Sequence, residues 1–379
     1  APEQIEYSAD QLDYNVLNAA VDLRNVRVRS TTWPDSPVFS TIGRVHINLS
    51  LLQLLRSRYV VQSGTVDDVD IHYFVDEQGR NNLPRPPADP DEPRRPLDYL
   101  VSSLEINRAH VRYENRVQRI DAQLPLSSIE VDGSDLTDRH DIRFDAAKGD
   151  VRVGERQAVI DRLAGLVDLG EDDVSIERLD LDTSGSHAAV TGTIKQFDVP
   201  VADLILKSKI DTMRVATVAG IQEPVSGSVT IDATAKGPLS TPAIEAHVSG
   251  SGLQFRDLRD ALLDTNASYD LATRRAAFSA LQVRGPWGAI TGEGNVSVGG
   301  GGSERSRVRA DINNIDAATV MRGLRLPWAA ATRVTGRLQA ERPGLDYLKA
   351  SGTANAVLRP TASEMSRSSM PIGGRIVAR

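Results

Sequence analysis

The chain has 379 residues, of which 40% are hydrophobic, with a formal net charge of −7 and no cysteine. That apolar content supports sizeable cores and is too high for a disordered tail. The acidic balance argues against a general affinity for nucleic acid or an anionic membrane surface, and the missing cysteines exclude disulfides, thiolate zinc sites and cysteine nucleophiles. Aromatic residues make up 4% of the chain, too few for a base-stacking platform. No stretch approaches the roughly 18 apolar residues of a membrane-spanning helix. The chain opens Ala1-Pro2-Glu3-Gln4 without a basic-then-apolar leader, and its last residues, Ile372 to Arg379, read as a strand cut short. The expectation is a mature form or an internal piece whose targeting elements lie outside it.

Along the chain the dominant period is two. Val21, Leu23, Val26 and Val28 alternate with polar residues, with one slip at Asn25 that suggests a bulge. Val45–Leu49, Val69–Tyr73, Leu179–Leu181, Leu204–Ile210, Val229–Ile231, Ile244–Val248, Val296–Val298 and Val308–Ile312 alternate in the same way. Asp132-Gly133, Lys236-Gly237-Pro238 and Asn313-Asn314 read as turns between them. Helix is sparse: Ser50 can cap Leu51–Arg56, and Asp211–Gly220 and Asp316–Gly323 can each form about two turns. The fold class is mainly β, an elongated, repetitive antiparallel sheet with a few short helices.

Pro84 to Pro96 holds six prolines in thirteen residues. It reads as an extended, solvated linker, a polyproline ligand being the sharper alternative. Gly299 to Gly302 lacks the Lys-Ser/Thr of a phosphate loop and reads as a hairpin tip. An internal repeat follows the linker. Leu181, Gly185, Ala189, Thr191 and Gly192 recur as Leu281, Gly285, Ala289, Thr291 and Gly292, and Ile210…Ala216-Thr217-Val218 recurs as Ile312…Ala318-Thr319-Val320. Val225-Ser-Gly227-Ser-Val229 matches Val334-Thr-Gly336-Arg-Leu338. Repeated β units stack into an elongated array. The expected division is 1–83, a linker at 84–96, a β segment at 97–200, and two repeats at 201–300 and 301–379.

The usual patterns of catalytic chemistry are missing. The histidines at 46, 72, 110, 140, 187 and 247 have no metal-ligand spacing, and His46, His72 and His247 fall on solvent-facing strand positions. There is no Gly-x-Ser-x-Gly elbow. The acidic groups Asp67-Asp68…Asp70, Asp132…Asp135…Asp138 and Glu171-Asp172-Asp173 lack the EF-hand pattern, although the turn read at Asp132-Gly133 offers weak calcium geometry against solvated turns. No catalytic residue, metal or cofactor is expected, and the protein is expected not to be an enzyme.

The alternation itself remains. Too few helical segments exist to cover so many strands, so the apolar face meets either a second sheet, as in a sandwich, or an apolar ligand lying in an open groove. In the second case the groove candidates are Leu204, Leu206, Ile210, Val229, Ile231, Ile244, Val248, Ile290, Val296 and Val298. Because the strand period is two, a one-residue error in register moves a whole set to the other face.

Three passages carry a family resemblance. Leu23-Arg-Asn-Val26-Arg-Val28, Pro37-Val-Phe39-Ser-Thr-Ile42-Gly-Arg44-Val45 and Leu49-Ser-Leu51-Leu52-Gln-Leu54-Leu55 resemble the N-terminal portion of AsmA-like proteins. Asp76-Glu-Gln-Gly79-Arg80-Asn81-Asn82-Leu83-Pro84 resembles the close of that region. The stretch from Val225 through Gly237-Pro-Leu-Ser-Thr-Pro242 is similar to the repeat of the TamB branch of the family. The resemblance implies a β-taco, an open, curled sheet with an apolar groove, in the periplasm of a diderm bacterium. It implies a conduit for phospholipid between inner and outer membranes, contributing to outer-membrane biogenesis. The alternative it allows is a scaffold for outer-membrane β-barrel assembly by strand augmentation with a TamA-like barrel. The family's inner-membrane anchor and its barrel-contacting C-terminal region have no counterpart in these residues. The partners it implies are phospholipid, the inner membrane and the barrel, with no nucleic acid.

Overall fold

Alternating apolar and polar residues make strands that bury one face, and the computed structural model consists almost wholly of them. It describes residues 5–31, 33, 35–54, 59–84, 99–134, 139–218, 224–297, 305–323, 329–343, 351–361 and 369–378. The chain falls into two units, Ala1–Phe197 and Asp198–Arg379. The linker at 84–96 lies almost entirely, and the glycine run at 299–302 wholly, outside the described residues.

The first unit holds β1 (Ile5–Ser8), β2 (Gln11–Asn15), β3 (Ala20–Ser30), β4 (Val38–Leu49), the single turn α1 (Leu51–Leu54), β5 (Tyr59–Val75), β6 (Tyr99–Val101), β7 (Ser103–Asn115), β8 (Ile120–Ser134), β9 (Arg139–Val153), β10 (Arg156–Leu169), β11 (Asp173–Thr183) and β12 (Ser186–Lys195). β1 and β2 both pair with β3, and pairing continues β3–β4–β5–β7–β8–β9–β10–β11–β12. Among the described residues β12 does not pair back to β1 or β2, so the sheet is open. The expected antiparallel order has one exception. β5 pairs in parallel with β6 and β7, because the chain leaving Val75 returns past the length of β5 before pairing again. A parallel neighbour needs such a crossover, and the proline-rich stretch lies within it.

The slip at Asn25 belongs to a line of irregularities. Asn25 (φ 51°), Asp68 (φ 57°) and Arg108 (φ 55°) are left-handed, and the registers set Asn25 opposite Gly43, Gly43 opposite Asp68, and Asp68 opposite Arg108. Ser127 on β8 continues the line. Each inserts one residue, so the apolar alternation steps by three: Leu23 to Val26, Val45 to Ile42, Val66 to Val69, Ile106 to Ala109 and Ile129 to Leu126. The step keeps apolar side chains on one face while the strands bend together. Val66, Val69, Ala109, Leu126 and Ala146 form the buried cluster along this bend, packed by Ile42, Ile106, Leu124, Ile129 and Phe144.

The second unit holds β13 (Val201–Asp211), α2 (Thr212–Val218), β14 (Val225–Pro238), β15 (Ala243–Phe255), β16 (Leu258–Asp270), β17 (Arg275–Gly285), β18 (Gly288–Ser297), β19 (Arg305–Asp316), α3 (Ala317–Gly323), β20 (Ala329–Ala330), β21 (Thr332–Pro343), β22 (Ser351–Pro360), β23 (Ser369–Met370) and β24 (Gly374–Ala378). Antiparallel pairing runs β13–β14–β15–β16–β17–β18–β19–β21–β22–β24, with β20 and β23 bridging separately in parallel. The repeat read in the sequence has a local counterpart. β13 and β19 each run directly into a two-turn helix whose first amides are capped by an aspartate: Asp211 Oδ1 accepts from the Met213 and Arg214 amides, and Asp316 Oδ1 from those of Ala318 and Thr319. The helices thus begin where the sequence placed them. Three turn readings are corrected: Lys236-Gly237-Pro238 are the last residues of β14, and the turn follows them. Asp132-Gly133 lies inside β8, and Asn313-Asn314 inside β19, where Asn314 is a left-handed bulge residue (φ 53°). Asn314 shows that a residue tolerating positive φ serves a bulge as readily as a turn, whereas Gly133 is not left-handed and stands where a Cβ would run into the Val101 carbonyl.

One motif of the resemblance acquires a structural cause. Asp76 Oδ1 accepts from the Gln78 and Arg80 amides, its Oδ2 accepts from Arg80 Nε at 2.6 Å, and Gly79 takes φ 79°. Asn82, wholly buried, accepts from the Phe74 amide at 2.8 Å and donates to the His72 carbonyl at 2.7 Å. Asn82→Ala leaves these backbone groups unpaired, and a loss of about 2–4 kcal/mol is expected in equilibrium urea unfolding. A loss below about 0.5 kcal/mol would mean that Asn82 does not tie the turn to the strands.

Candidate functional site

Register settles which side chains share a face, because directly opposed residues of a ladder point the same way. In β13, Leu204, Leu206 and Ile210 lie opposite Ala235, Ala233 and Val229 of β14, and Ser208 lies opposite Ile231. Ile231 then faces Val248, and Ala235 faces Ile244. β16 continues the face with Tyr269, Ala267, Thr265 and Leu263. β17 supplies Ala276, Phe278 and Val283, which lie opposite Val296, Gly294 and Ile290 of β18. Nine of the ten candidate positions are therefore on a single face of the second unit, and Val298 lies outside the described residues.

The face extends beyond those candidates. Val308, Ala310 and Ile312 of β19 carry it to Ala340, Leu338 and Gly336 of β21 and on to Gly352, Ala354 and Ala356 of β22. In the first unit the same kind of face runs from Val21 and Leu23 through the buried bend to Leu163, Leu179 and Leu181. Sequence reasoning placed no site residue there, although the three-residue step seen at Asn25 recurs in the neighbouring strands and could have extended the pattern. Among the described residues, the strands of both units make their main contacts with their ladder neighbours. The helices add to this: α1 touches β5, α2 packs against β13 and β14, and α3 reaches from β19 to β16, β20 and β21, with Val320 beside Trp287, Ile315 and Ala261. Most of the apolar face is half-buried without a covering layer.

Aromatic rings on this face lie over glycines of the next strand. Phe144 is opposite Gly165 and Phe278 opposite Gly294, and a Cβ at either glycine would run into the ring. Gly165→Val must displace Phe144 from its packed position, and the expected cost is about 1–3 kcal/mol. Thermal or urea unfolding measures it, and an unchanged midpoint would mean the ring is free to move aside.

The opposite face is polar and cross-linked by charge. Arg337 Nε lies 2.8 Å from Asp311 Oδ1, Arg307 Nε 3.0 Å from Glu341 Oε1, and Arg139 bridges Asp168 at 2.7 Å and Asp173 at 3.0 Å. A depression of about 830 Å³ on the second unit is lined by Thr291, Glu293, Arg309, Asp311, Arg337 and Gln339 with the intervening backbone. Arg337 with Asp311 and Arg309 with Glu293 form ion pairs across this sheet surface. His46, His72, His110, His187 and His247 each lie beside a carboxylate, at 2.8 to 3.6 Å. Asp132 stands in a strand, while Asp135 and Asp138 of that acidic group lie outside the described residues. Among the described residues no group of three His, Asp or Glu is placed to hold a metal ion.

Hydrogen bonds from Arg44 to Asp22, from Arg108 to Asp68 and from Arg139 to Asp173 hold these carboxyls below their ordinary value. Burial pushes Asp76 up, but Arg80 and the turn amides outweigh it and hold that carboxyl low as well. A folded-state pKa below the unfolded one means stabilisation that is complete above the ordinary value of 3.8 and lost as pH falls through it. The melting temperature is therefore expected to be flat with respect to these groups from neutral pH to about 5 and to drop below about 4. An unchanged midpoint at pH 2.5 (roughly the lower end of such a titration) would contradict it.

No protein-family model matches the chain, and no curated protein matches it.

Proposed function

We propose that this chain is a non-enzymatic conduit that shields phospholipid acyl chains on an apolar β surface, as its resemblance to AsmA-like proteins implies. The observation that supports this reading is the registered apolar face of each unit, continuous from strand to strand and largely without a covering layer. An acyl chain in water costs about 0.8 kcal/mol per CH₂, so a two-chain lipid costs on the order of 20 kcal/mol or more. A continuous apolar surface removes most of that cost while the headgroup stays in water. Small residues such as Ala233, Ala246, Ala267 and Gly294 leave room along it. The polar face, laced with ion pairs, keeps the outside soluble. On this reading the protein works in the periplasm of a diderm bacterium, and directionality comes from outside the chain.

The test is to purify the chain from a bacterial envelope, extract it with organic solvent, and quantify phospholipid by mass spectrometry. One or more lipids per chain is the expected result. A folded, monodisperse sample without lipid would mean that the face is closed core, and the scaffold reading would replace this one.

A further inference from the structure

We infer that Arg333, Arg359 and Arg375, on the polar face of the second unit, form a binding site for a phosphate group. The site lies on the face opposite the apolar surface, so it stands whether or not that surface carries lipid. β21, β22 and β24 carry five arginines and a single acidic residue, Glu341, in a chain whose net charge is −7. Register places Arg333 directly opposite Arg359. Arg375 lies opposite Val357, the neighbour of Arg359 on the same face of β22. Directly opposed side chains have Cβ atoms about 4.5–5.5 Å apart, and like charges so placed repel.

Comparable arginines on the polar face are neutralised within the chain. Arg24 and Arg44 are also opposed, but Asp22 lies beside both, and Arg337 and Arg307 have Asp311 and Glu341. The pair at Arg333 lacks such a carboxylate. Asp316, across the ladder from Arg333, is turned to the start of α3, where it accepts from the Ala318 and Thr319 amides and the Thr319 hydroxyl. Arg333 Nη1 donates to the Asn314 carbonyl at 3.0 Å, and Arg375 Nε to Asn355 Oδ1 at 3.2 Å. These neutral partners hold the two side chains and leave their charge unmatched. The Arg359 guanidinium is exposed and has no hydrogen-bond or ion-pair partner among the described residues. Phosphate fits this arrangement better than a carboxylate. A guanidinium offers a planar fork of N–H donors, and one carboxylate fills one fork. A phosphate monoester presents three acceptor oxygens and about −1.5 to −2 charge at pH 7. It can take donors from two facing forks at once and cancel their repulsion.

The experiment titrates the full chain with inorganic phosphate, read by phosphorus NMR line broadening, and compares melting temperatures in phosphate and chloride at one ionic strength. Saturable broadening is expected, and Arg333→Gln or Arg359→Gln should weaken the binding by about tenfold or more. Circular dichroism checks that the variants fold. In chloride, Arg359→Gln removes a repulsion and should melt no lower than the parent, whereas in phosphate the parent should gain more than the variant. Arg307→Gln breaks an ion pair elsewhere on the face and should leave phosphate affinity within about twofold. Dihexanoyl phosphatidic acid, kept below its micellar concentration, distinguishes the sources of the phosphate. Affinity equal to that of inorganic phosphate supports a soluble ligand, and affinity about tenfold higher supports a lipid headgroup. Absence of saturable broadening overturns the proposal, as does phosphate binding that survives both substitutions. An Arg359→Gln chain that melts lower in chloride also overturns it, since the guanidinium would then be paired within the chain. A hexaglutamate peptide that binds as tightly as phosphate would assign the patch to carboxylates instead.

Discussion

Replacing Ala146 by aspartate is expected to cost the fold about 3–5 kcal/mol, the usual scale for an uncompensated buried charge. Ala146 is wholly buried, opposite Leu163 on β10 and Leu126 on β8, in the cluster that follows the line of bulges. A carboxylate there must either stay charged among methyl groups or take up a proton, and each alternative penalises the folded state at neutral pH. Equilibrium unfolding in urea reads the effect, and it should shrink as pH falls and vanish below about 4, where the introduced acid becomes neutral in the unfolded state as well. Ala146→Val isolates volume from charge, with a smaller expected cost of about 1–3 kcal/mol. If aspartate cost no more than valine, the bend would be open to water and the apolar face of the first unit would not be folded in along it.

The second large effect is on lipid, not on stability. Ile231 is half-buried between Ser208 and Val248 on the shared face. A glutamate there places a charge in the path of an acyl chain while its carboxylate can still reach solvent. Lipid recovered per chain is expected to fall about tenfold or more, since even a few kcal/mol of charge burial exceeds the roughly 1.4 kcal/mol that a factor of ten requires. The β-sheet circular dichroism should persist. Ile290→Glu should act alike with an added stability cost, because Ile290 also packs against Trp287 and Ile315. Thr230→Glu is the control: Thr230 is the next residue on the same strand, pairs with Lys209 and Ser249, and points to the other face. Equal loss in Ile231→Glu and Thr230→Glu would trace the effect to the strand, not the face. Undiminished loading in both isoleucine variants would sink the face assignment.

How much of this was legible beforehand can be judged residue by residue. Leu204, Leu206 and Ile210 declared a common face because strand alternation is a local property of the backbone, needing no partner. The aspartates before α2 and α3 announced their helices for the same reason, since a cap binds amides two and three residues on. The step at Asn25 was visible too. What could not be seen was that Gly43, Asp68, Arg108 and Ser127 stand in line with it, for that depends on which strands are neighbours. Asn313-Asn314 misled because a left-handed residue looks the same in a turn and in a bulge, and Asp132-Gly133 because a glycine needed for close backbone approach looks the same as a turn glycine. Only the partner strand tells them apart.

The sequence by itself determined the β class, the two-residue period, the face on which each strand carries its apolar side chains, and the scarcity of helix. Each of these is set by chemistry within a few residues of itself. Tertiary structure alone decided the parallel pairing of β5 with β7, the alignment of bulges into one bend, and the joining of separate apolar stripes into a continuous surface. Those depend on ladder register, which is fixed between strands brought together from apart in the chain and is written in no single one of them.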